Sequence, residues 1–420
     1  MLNRRIFVKL STIGTSLAIF SPRMPQLYKS DDLIPVIKVT TEFPNGGGKI
    51  MVEKTDPLVI RVIPHDQNNG GWSKIWWHFK IEGINPGSEI TLFIEKGAGS
   101  SERIFYSYDD TNWALTSSGN EVSSEHSVFT KISHIVRGAT VSFSYDRPYR
   151  LSELQLELLP VLENLPNIEV LDFCQSKQGR HLPAIQLNST NSNSKYGIWL
   201  QARAHSFEAG SSWVLHELTS WLVSRDPLAS NLRKIAEITI LPIIDIDAIE
   251  EGRTGKNQRP YDHNRGWSHE KNHWPEVNRI KQELKDRTLK NNLDLFIDFH
   301  GPGNQRHPYF IVPMEKNLTS NWQRKNRRSF FQVLQAQSFN QMEENTQSMD
   351  QFYYSERDYD PKNHDSSNIW VGQNTTESVI NLTLEVNMGT VLSTREGFRQ
   401  EAITLGKAIA NYFINGSHKK

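Results

Sequence analysis

The four residues His205-Ser-Phe-Glu208 stand where an apolar run, Gly197-Ile-Trp-Leu-Gln-Ala-Arg-Ala204, gives way to a helix-like stretch at residues 209–223. An imidazole and a carboxylate three residues apart on a strand-to-helix turn can converge on one metal ion. Zinc takes nitrogen and oxygen ligands at about 2.0–2.2 Å in a small tetrahedral site. The pair alone proves little, because His273-Trp-Pro-Glu276 repeats its spacing elsewhere in the chain. Context separates the two. His273 and Glu276 lie in a polar segment that opens a helix at Pro275, with no strand in front of it. His216 and Glu217 fall inside an amphipathic helix, where the expectation is a solvated face.

A third ligand must be held rigidly, and Leu293-Asp-Leu-Phe-Ile-Asp-Phe-His300 ends a strongly apolar strand on a histidine. Ligands bind at the carboxyl ends of strands in α/β sheets, so His205 and His300 are expected to face one crevice. Two histidines and Glu208 would leave a fourth position open for water, the arrangement of a catalytic zinc rather than a closed structural one. Such a zinc lowers the pKa of bound water toward about 7 and polarises a carbonyl oxygen.

Composition narrows the rest. The chain has 420 residues, enough for two or three domains. Lys plus Arg and Asp plus Glu are both 47, so no net charge steers the protein toward nucleic acid or an anionic membrane. Cys174 is alone, which excludes an intramolecular disulfide and a cysteine zinc site; a metal here must use histidine and carboxylate. At the start, Asn3-Arg4-Arg5-Ile6-Phe7-Val8-Lys9 precedes an apolar run at residues 10–20 and resembles a bacterial twin-arginine export signal. The run is too short to cross a bilayer core of about 30 Å. Residues 1–25 are therefore expected to be an export signal. The protein is expected in the periplasm, without stable membrane insertion unless the signal stays attached; the alternative is a cytoplasmic protein with a basic N-terminus.

Between residues 35 and 150, short alternating or aromatic-rich runs separated by turn residues predict an antiparallel β-sandwich. Examples are Lys74-Ile-Trp-Trp-His-Phe-Lys-Ile81 and Thr140-Val-Ser-Phe-Ser-Tyr145, with Asn85-Pro86-Gly87 as one of the turns. After Arg147-Pro148-Tyr149, a helix at residues 151–165 is expected to lead into the second domain, 151–420. From residue 168 onward strand and helix patterns alternate, which predicts an α/β domain on a mixed sheet.

The ordered motifs resemble those of the carboxypeptidase A-like zinc peptidases, most closely the cytosolic-carboxypeptidase branch and its bacterial relatives. The resemblance rests on Trp199-Leu-Gln-Ala-Arg-Ala-His205-Ser-Phe-Glu208, Leu232-Arg233, Asp262-His-Asn264-Arg265-Gly-Trp267, Asp298-Phe-His300-Gly and Thr383-Leu-Glu385. It implies a mixed-sheet α/β zinc carboxypeptidase domain preceded by a β-sandwich. It implies one zinc per chain on His205, Glu208 and His300, and a peptide or protein C-terminus as substrate. By the same resemblance Glu385 is the general base, moving a proton from water to the leaving amine. Asn264 and Arg265 match the pair that holds the substrate's terminal carboxylate, for which a guanidinium fork is suited.

An arginine that polarises the scissile carbonyl would align with Gly255, so Arg253 and Arg259 on either side are its candidates. A Pro-Asp-Gly element of the family is only partly kept, in Asp245-Ile-Asp247. Tyr353, Tyr354 and Tyr359 are candidates for a tyrosine that folds over the substrate. The branch trims glutamates, but for an exported protein cell-wall peptides are an equally available target. The alternatives are an acylamino-acid deacylase of the aspartoacylase type, which shares the metal triad, and a non-catalytic binding relative.

Overall fold

The computed structural model describes residues 36–420 except 69–72, 98–99, 192–193, 302–307, 314–317, 319, 345–352 and 358–365. The export-like segment at 1–25 and Tyr359 lie outside the described residues. Ile37–Lys420 packs as one unit.

Two five-stranded sheets come first. One runs Lys38–Thr40, His78–Glu82, Thr140–Ser144, Phe105–Ser107, Trp113–Leu115, antiparallel at every pairing. The other runs Asn120–Ser123, Val128–Ile135, Glu89–Glu95, Leu58–Ile63, Lys49–Thr55. Along Leu58–Ile63 buried and half-buried residues alternate, the period of a strand with one face on the core. Ile60, Val62 and Leu92 of this sheet and Phe79, Val141 and Phe143 of the other belong to one buried apolar cluster, so the sheets form the expected sandwich. One pairing departs from the all-antiparallel expectation: Leu58–Ile63 and Glu89–Glu95 run parallel. The chain between them crosses into the other sheet at His78–Glu82, and a crossover, unlike a hairpin, returns a strand in the same direction.

The second half is built on eight strands: β1 (Ile168–Gln175), β2 (His181–Leu187), β3 (Tyr196–Ala202), β4 (Ala236–Leu241), β5 (Leu295–His300), β6 (Tyr309–Pro313), β7 (Tyr353–Arg357) and β8 (Ile380–Glu385). Their order is β1-β2-β4-β3-β5-β8-β6-β7. The central pairings β4–β3, β3–β5 and β5–β8 are parallel and the flanking β1–β2, β2–β4 and β6–β8 antiparallel, a mixed sheet as expected. Every residue of β5 is buried, and β3 and β8 are almost as dry, which explains why they read as near-continuous apolar runs. Because β3, β5 and β8 are parallel neighbours, their carboxyl ends come out together. Helices α1 (Ala209–Leu222), α2 (Pro227–Ile235), α3 (Ile246–Glu250), α4 (Pro275–Leu289), α5 (Asn321–Glu344), α6 (Ser367–Asn374) and α7 (Arg395–Ile414) complete the domain. This is the mixed α/β fold that the sequence patterns predict.

A helical connection spanning Leu151–Glu153, Leu154–Leu158 and Leu159–Leu162 joins the two halves, its middle segment a π-turn. Just before it the chain is pinned to α1. Trp213 Nε1 donates to the Pro148 carbonyl at 3.1 Å, and the fully buried Tyr149 has its hydroxyl 3.2 Å from His216 Nδ1. His216 and Glu217 are therefore not on a solvated face. Both are buried, and Arg395 of α7 bonds both: Nη2 lies 3.2 Å from His216 Nε2 and Nε donates to Glu217 Oε1. Burial, with Arg395 and Arg147 nearby, pushes the His216 pKa down to about 3, so it stays neutral. The helix pattern identified α1 but could not show that the linker and α7 cover its polar side.

On α7, Glu401 is buried and accepts only a long bond, 3.5 Å, from the Asn387 amide; its Oε1 has no partner among the described residues. Burial pushes its pKa up to about 8 from an ordinary 4.5. Between these values the unfolded chain has released the proton and the folded chain has not, so stability falls as pH rises through that window. Glu401→Gln keeps the shape and removes the proton. It is expected to raise Tm by several degrees at pH 8 and to change it little at pH 4.5, as read by thermal denaturation at both pH values.

Candidate metal centre

The turn leaving β3 is held by Arg203. This residue has a positive φ of 68°, an uncommon backbone region for a residue with a side chain. Its fully buried guanidinium bonds the Ser206 carbonyl (Nε, 2.8 Å) and the Tyr149 carbonyl (Nη1, 3.1 Å). The cation thus ties the turn to the inter-domain linker. Gly255 presses against the same turn: with φ of 77°, a Cβ placed there would lie 2.5 Å from the Ser206 nitrogen. Only glycine lets the loop at residues 253–262 approach so closely.

The turn delivers His205 and Glu208 to the carboxyl end of β5, where His300 stands. His205 Nδ1 is 2.9 Å from Glu208 Oε1, and His300 Nδ1 is 2.8 Å from Glu208 Oε2. All three side chains are buried, with no more than 3 % of each exposed, and candidate ligand atoms of the three lie within 4.8 Å of one another. Burial raises the Glu208 pKa, but the two imidazoles outweigh it and hold the carboxyl well below the usual range. For His300 the burial effect is likewise overcome, here by Asp298 and Glu208, and its pKa is raised well above 6.5.

The outward ring nitrogens also meet carboxylates. His205 Nε2 is 3.3 Å from Asp262 Oδ1, and His300 Nε2 is 3.2 Å from Asp298 Oδ2. A metal-ligating histidine characteristically gives its second nitrogen to a carboxylate, which fixes the tautomer and turns the lone pair toward the metal. The donor set and its surroundings therefore fit a divalent metal, and zinc in particular.

The structure brings Glu385, Asn264 and Arg265 to this cluster. Glu385 ends β8 in register with His300 on one side and Tyr309 on the other, and the Val386 amide bonds the His300 carbonyl at 2.8 Å. It is half-buried; desolvation raises its pKa, His300 opposes that and Glu208 adds to it. Asn264 places its Nδ2 3.1 Å from His300 Nε2 and accepts from the Ser367 amide at 3.0 Å. Arg265, half-buried, donates from Nη1 to the Asn264 carbonyl at 2.7 Å.

Arg253 pairs with Glu251 at 2.6 Å, and both Arg253 and Arg259 line a cavity of about 540 Å³ together with Lys177, His273 and Trp274. None of His205, Glu208, His300 and Glu385 lines that cavity. Between the two arginines the chain turns tightly at Gly255, with φ of 77°, and the Asn257 amide bonds Asp262 Oδ2 at 2.9 Å. Burial pushes Asp262 up, but His205 outweighs it, and Lys256 helps hold the carboxyl low; Lys256 also pulls on Glu385.

The second His-x-x-Glu pair is divided. His273 Nε2 accepts from Lys177 Nζ at 2.5 Å, whereas Glu276 faces His263. Asp245 caps α3 through the Ala248 amide, and Asp247 bonds Ser176 and Arg180, so both serve the scaffold. Tyr353 and Tyr354 lie in β7, in register with Tyr309 and Phe310. The residues that sequence reasoning missed are Arg203, Lys256, Asp298 and Ser367. Asp298, two positions before His300 on one strand, carried a readable signal, since such residues share a face.

A family model described as zinc carboxypeptidase matches residues 156–402. The chain belongs to the zinc carboxypeptidase family. Human cytosolic carboxypeptidase 1 is 19% identical over 320 residues, 65% of this chain and 26% of the human protein. Cytosolic carboxypeptidase 6 of Caenorhabditis elegans is 29% identical over 168 residues, 38% of this chain and 36% of that protein. The chain thus spans about a quarter to a third of the curated relatives it matches. Among solved structures, a metallo-carboxypeptidase from Burkholderia cenocepacia superposes with a TM-score of 0.72 at 18% identity, covering 90% of this chain and 98% of that one. A Pseudomonas aeruginosa metallo-carboxypeptidase, solved in complex with (2-guanidinoethylmercapto)succinic acid, gives 0.70 at 18%, covering 90% of this chain and 99% of that one. These likenesses extend the zinc carboxypeptidase fold over the sandwich as well as the catalytic half.

Proposed function

We propose that this chain hydrolyses the C-terminal peptide bond of a peptide or protein, with one zinc held by His205, Glu208 and His300. The observation that carries this reading is the buried Glu208 carboxylate bridging two imidazoles, with Glu385 in register beside one of them. Zinc, when bound, acidifies water and polarises the scissile carbonyl. Glu385 takes the proton of the attacking water and returns it to the leaving amine, and desolvation makes its carboxylate the stronger base.

Arg265 offers its guanidinium fork to the substrate's terminal carboxylate. Asn264 stands beside it, its amide held between His300 and Ser367. In place of Arg253 or Arg259, Lys256 supplies the positive charge toward the developing oxyanion. A non-catalytic relative would have no use for a carboxylate kept at Glu385, and the family match favours a peptidase over the aspartoacylase type.

Purified protein is expected to carry about one zinc, lost in His205→Ala. Glu385→Gln should keep the metal while hydrolysis falls at least about a hundredfold; turnover undiminished in that variant, with zinc present, would refute the role of Glu385. Lys256→Met should likewise keep zinc and lower kcat by about 10–100-fold, with KM little changed. Equal losses in Arg253→Met or Arg259→Met would return the role to an arginine.

A further inference from the structure

We infer that Ser367, the first residue of α6, is a positioning residue that holds His300 from behind through Asp298. Ser367 is fully buried, and its hydroxyl donates to Asp298 Oδ2. Its backbone amide donates to Asn264 Oδ1 at 3.0 Å. Asp298 Oδ2 and Asn264 Nδ2 then lie 3.2 Å and 3.1 Å from the same atom, His300 Nε2. Ser367 thus reaches the imidazole through Asp298, the acceptor for the Nε2–H; Asn264 Nδ2, itself a donor, stands beside that nitrogen without bonding it.

The relay is rigid because its members sit on fixed elements. Asp298 and His300 are two apart on β5, so both side chains emerge on one face. The start of α6 is tied to β8, where Asn381 Nδ2 donates to the Asn368 carbonyl at 2.6 Å. Asp298 Oδ1 is buried without a partner among the described residues. The described hydrogen-bond partners of this fully buried carboxylate are therefore the Ser367 hydroxyl and the His300 ring. A buried carboxylate with so few donors depends strongly on each. Without the hydroxyl, Asp298 is free to turn, and His300 loses the partner that aims its other nitrogen at Glu208.

The inference rests on the proposal that His300 holds zinc, so two readouts are needed. In the full chain, Ser367→Ala is expected to weaken zinc binding about 10–100-fold in competition with a chelator. At saturating zinc it should lower kcat more than KM, and Ser367→Thr, which keeps a hydroxyl, should restore most of the affinity. In an Asp298→Asn background the Ser367→Ala change should add little. The second readout needs no metal: the His300 Nε2–H proton should give a slowly exchanging downfield NMR signal in the wild-type chain and be broadened in Ser367→Ala. Wild-type protein that binds no zinc would overturn the metal reading, while this signal still judges Ser367. A Ser367→Ala chain with zinc affinity within twofold of wild type, or with an unaltered Nε2–H signal, would overturn the role of Ser367.

Discussion

A carboxylate removed from water is costly unless charge and hydrogen bonds replace its hydration, and Glu208 is such a carboxylate. Each of its oxygens faces one imidazole nitrogen, 2.9 Å away for His205 and 2.8 Å for His300. The rest of the centre follows from this constraint. The imidazoles must be held, and each has its outer nitrogen beside a second buried carboxylate, Asp262 at 3.3 Å or Asp298 at 3.2 Å. Those carboxylates need support in turn, which the Asn257 amide and the Ser367 hydroxyl provide.

The fold answers the same constraint at longer range. Three parallel neighbours in the centre of the sheet end beside one another, and the last residues of two of them, His300 and Glu385, lie in register. The third strand delivers its pair through a turn whose geometry depends on Arg203, which also grips the linker from the sandwich. The sandwich is thereby connected to the centre through Tyr149, Pro148 and α1. Bonds between Asn45 and Ile249 and between Thr254 and both His65 and Trp76 add to that connection, and Ile37–Lys420 packs as one unit.

Much of this was legible in the residues. Apolar runs buried on both faces marked the central strands, and the histidine closing Leu293-Asp-Leu-Phe-Ile-Asp-Phe-His300 marked a ligand position, because a strand end fixes where a side chain emerges. Less legible was anything depending on which neighbour a loop residue turns toward. Arg253 and Arg259 were natural candidates by type and spacing, but that they line a cavity with Lys177, His273 and Trp274 depends on loop turns with no local signal. His216 and Glu217 looked solvated because helix periodicity says nothing of a linker and a later helix covering the polar side. Ser367 had no local signal: its role arises from a contact with Asp298 that sequence order separates by 69 positions.

The central claim is that this buried centre removes residues from a free C-terminus. It is tested most directly by incubating the zinc-loaded protein with pairs of peptides identical except for a free or an amidated C-terminus, and reading the products by mass spectrometry. Single residues are expected to be lost from the free acids and almost none from the amides, because Arg265 then faces no carboxylate. Cleavage at internal bonds, or equal shortening of acid and amide, would contradict it.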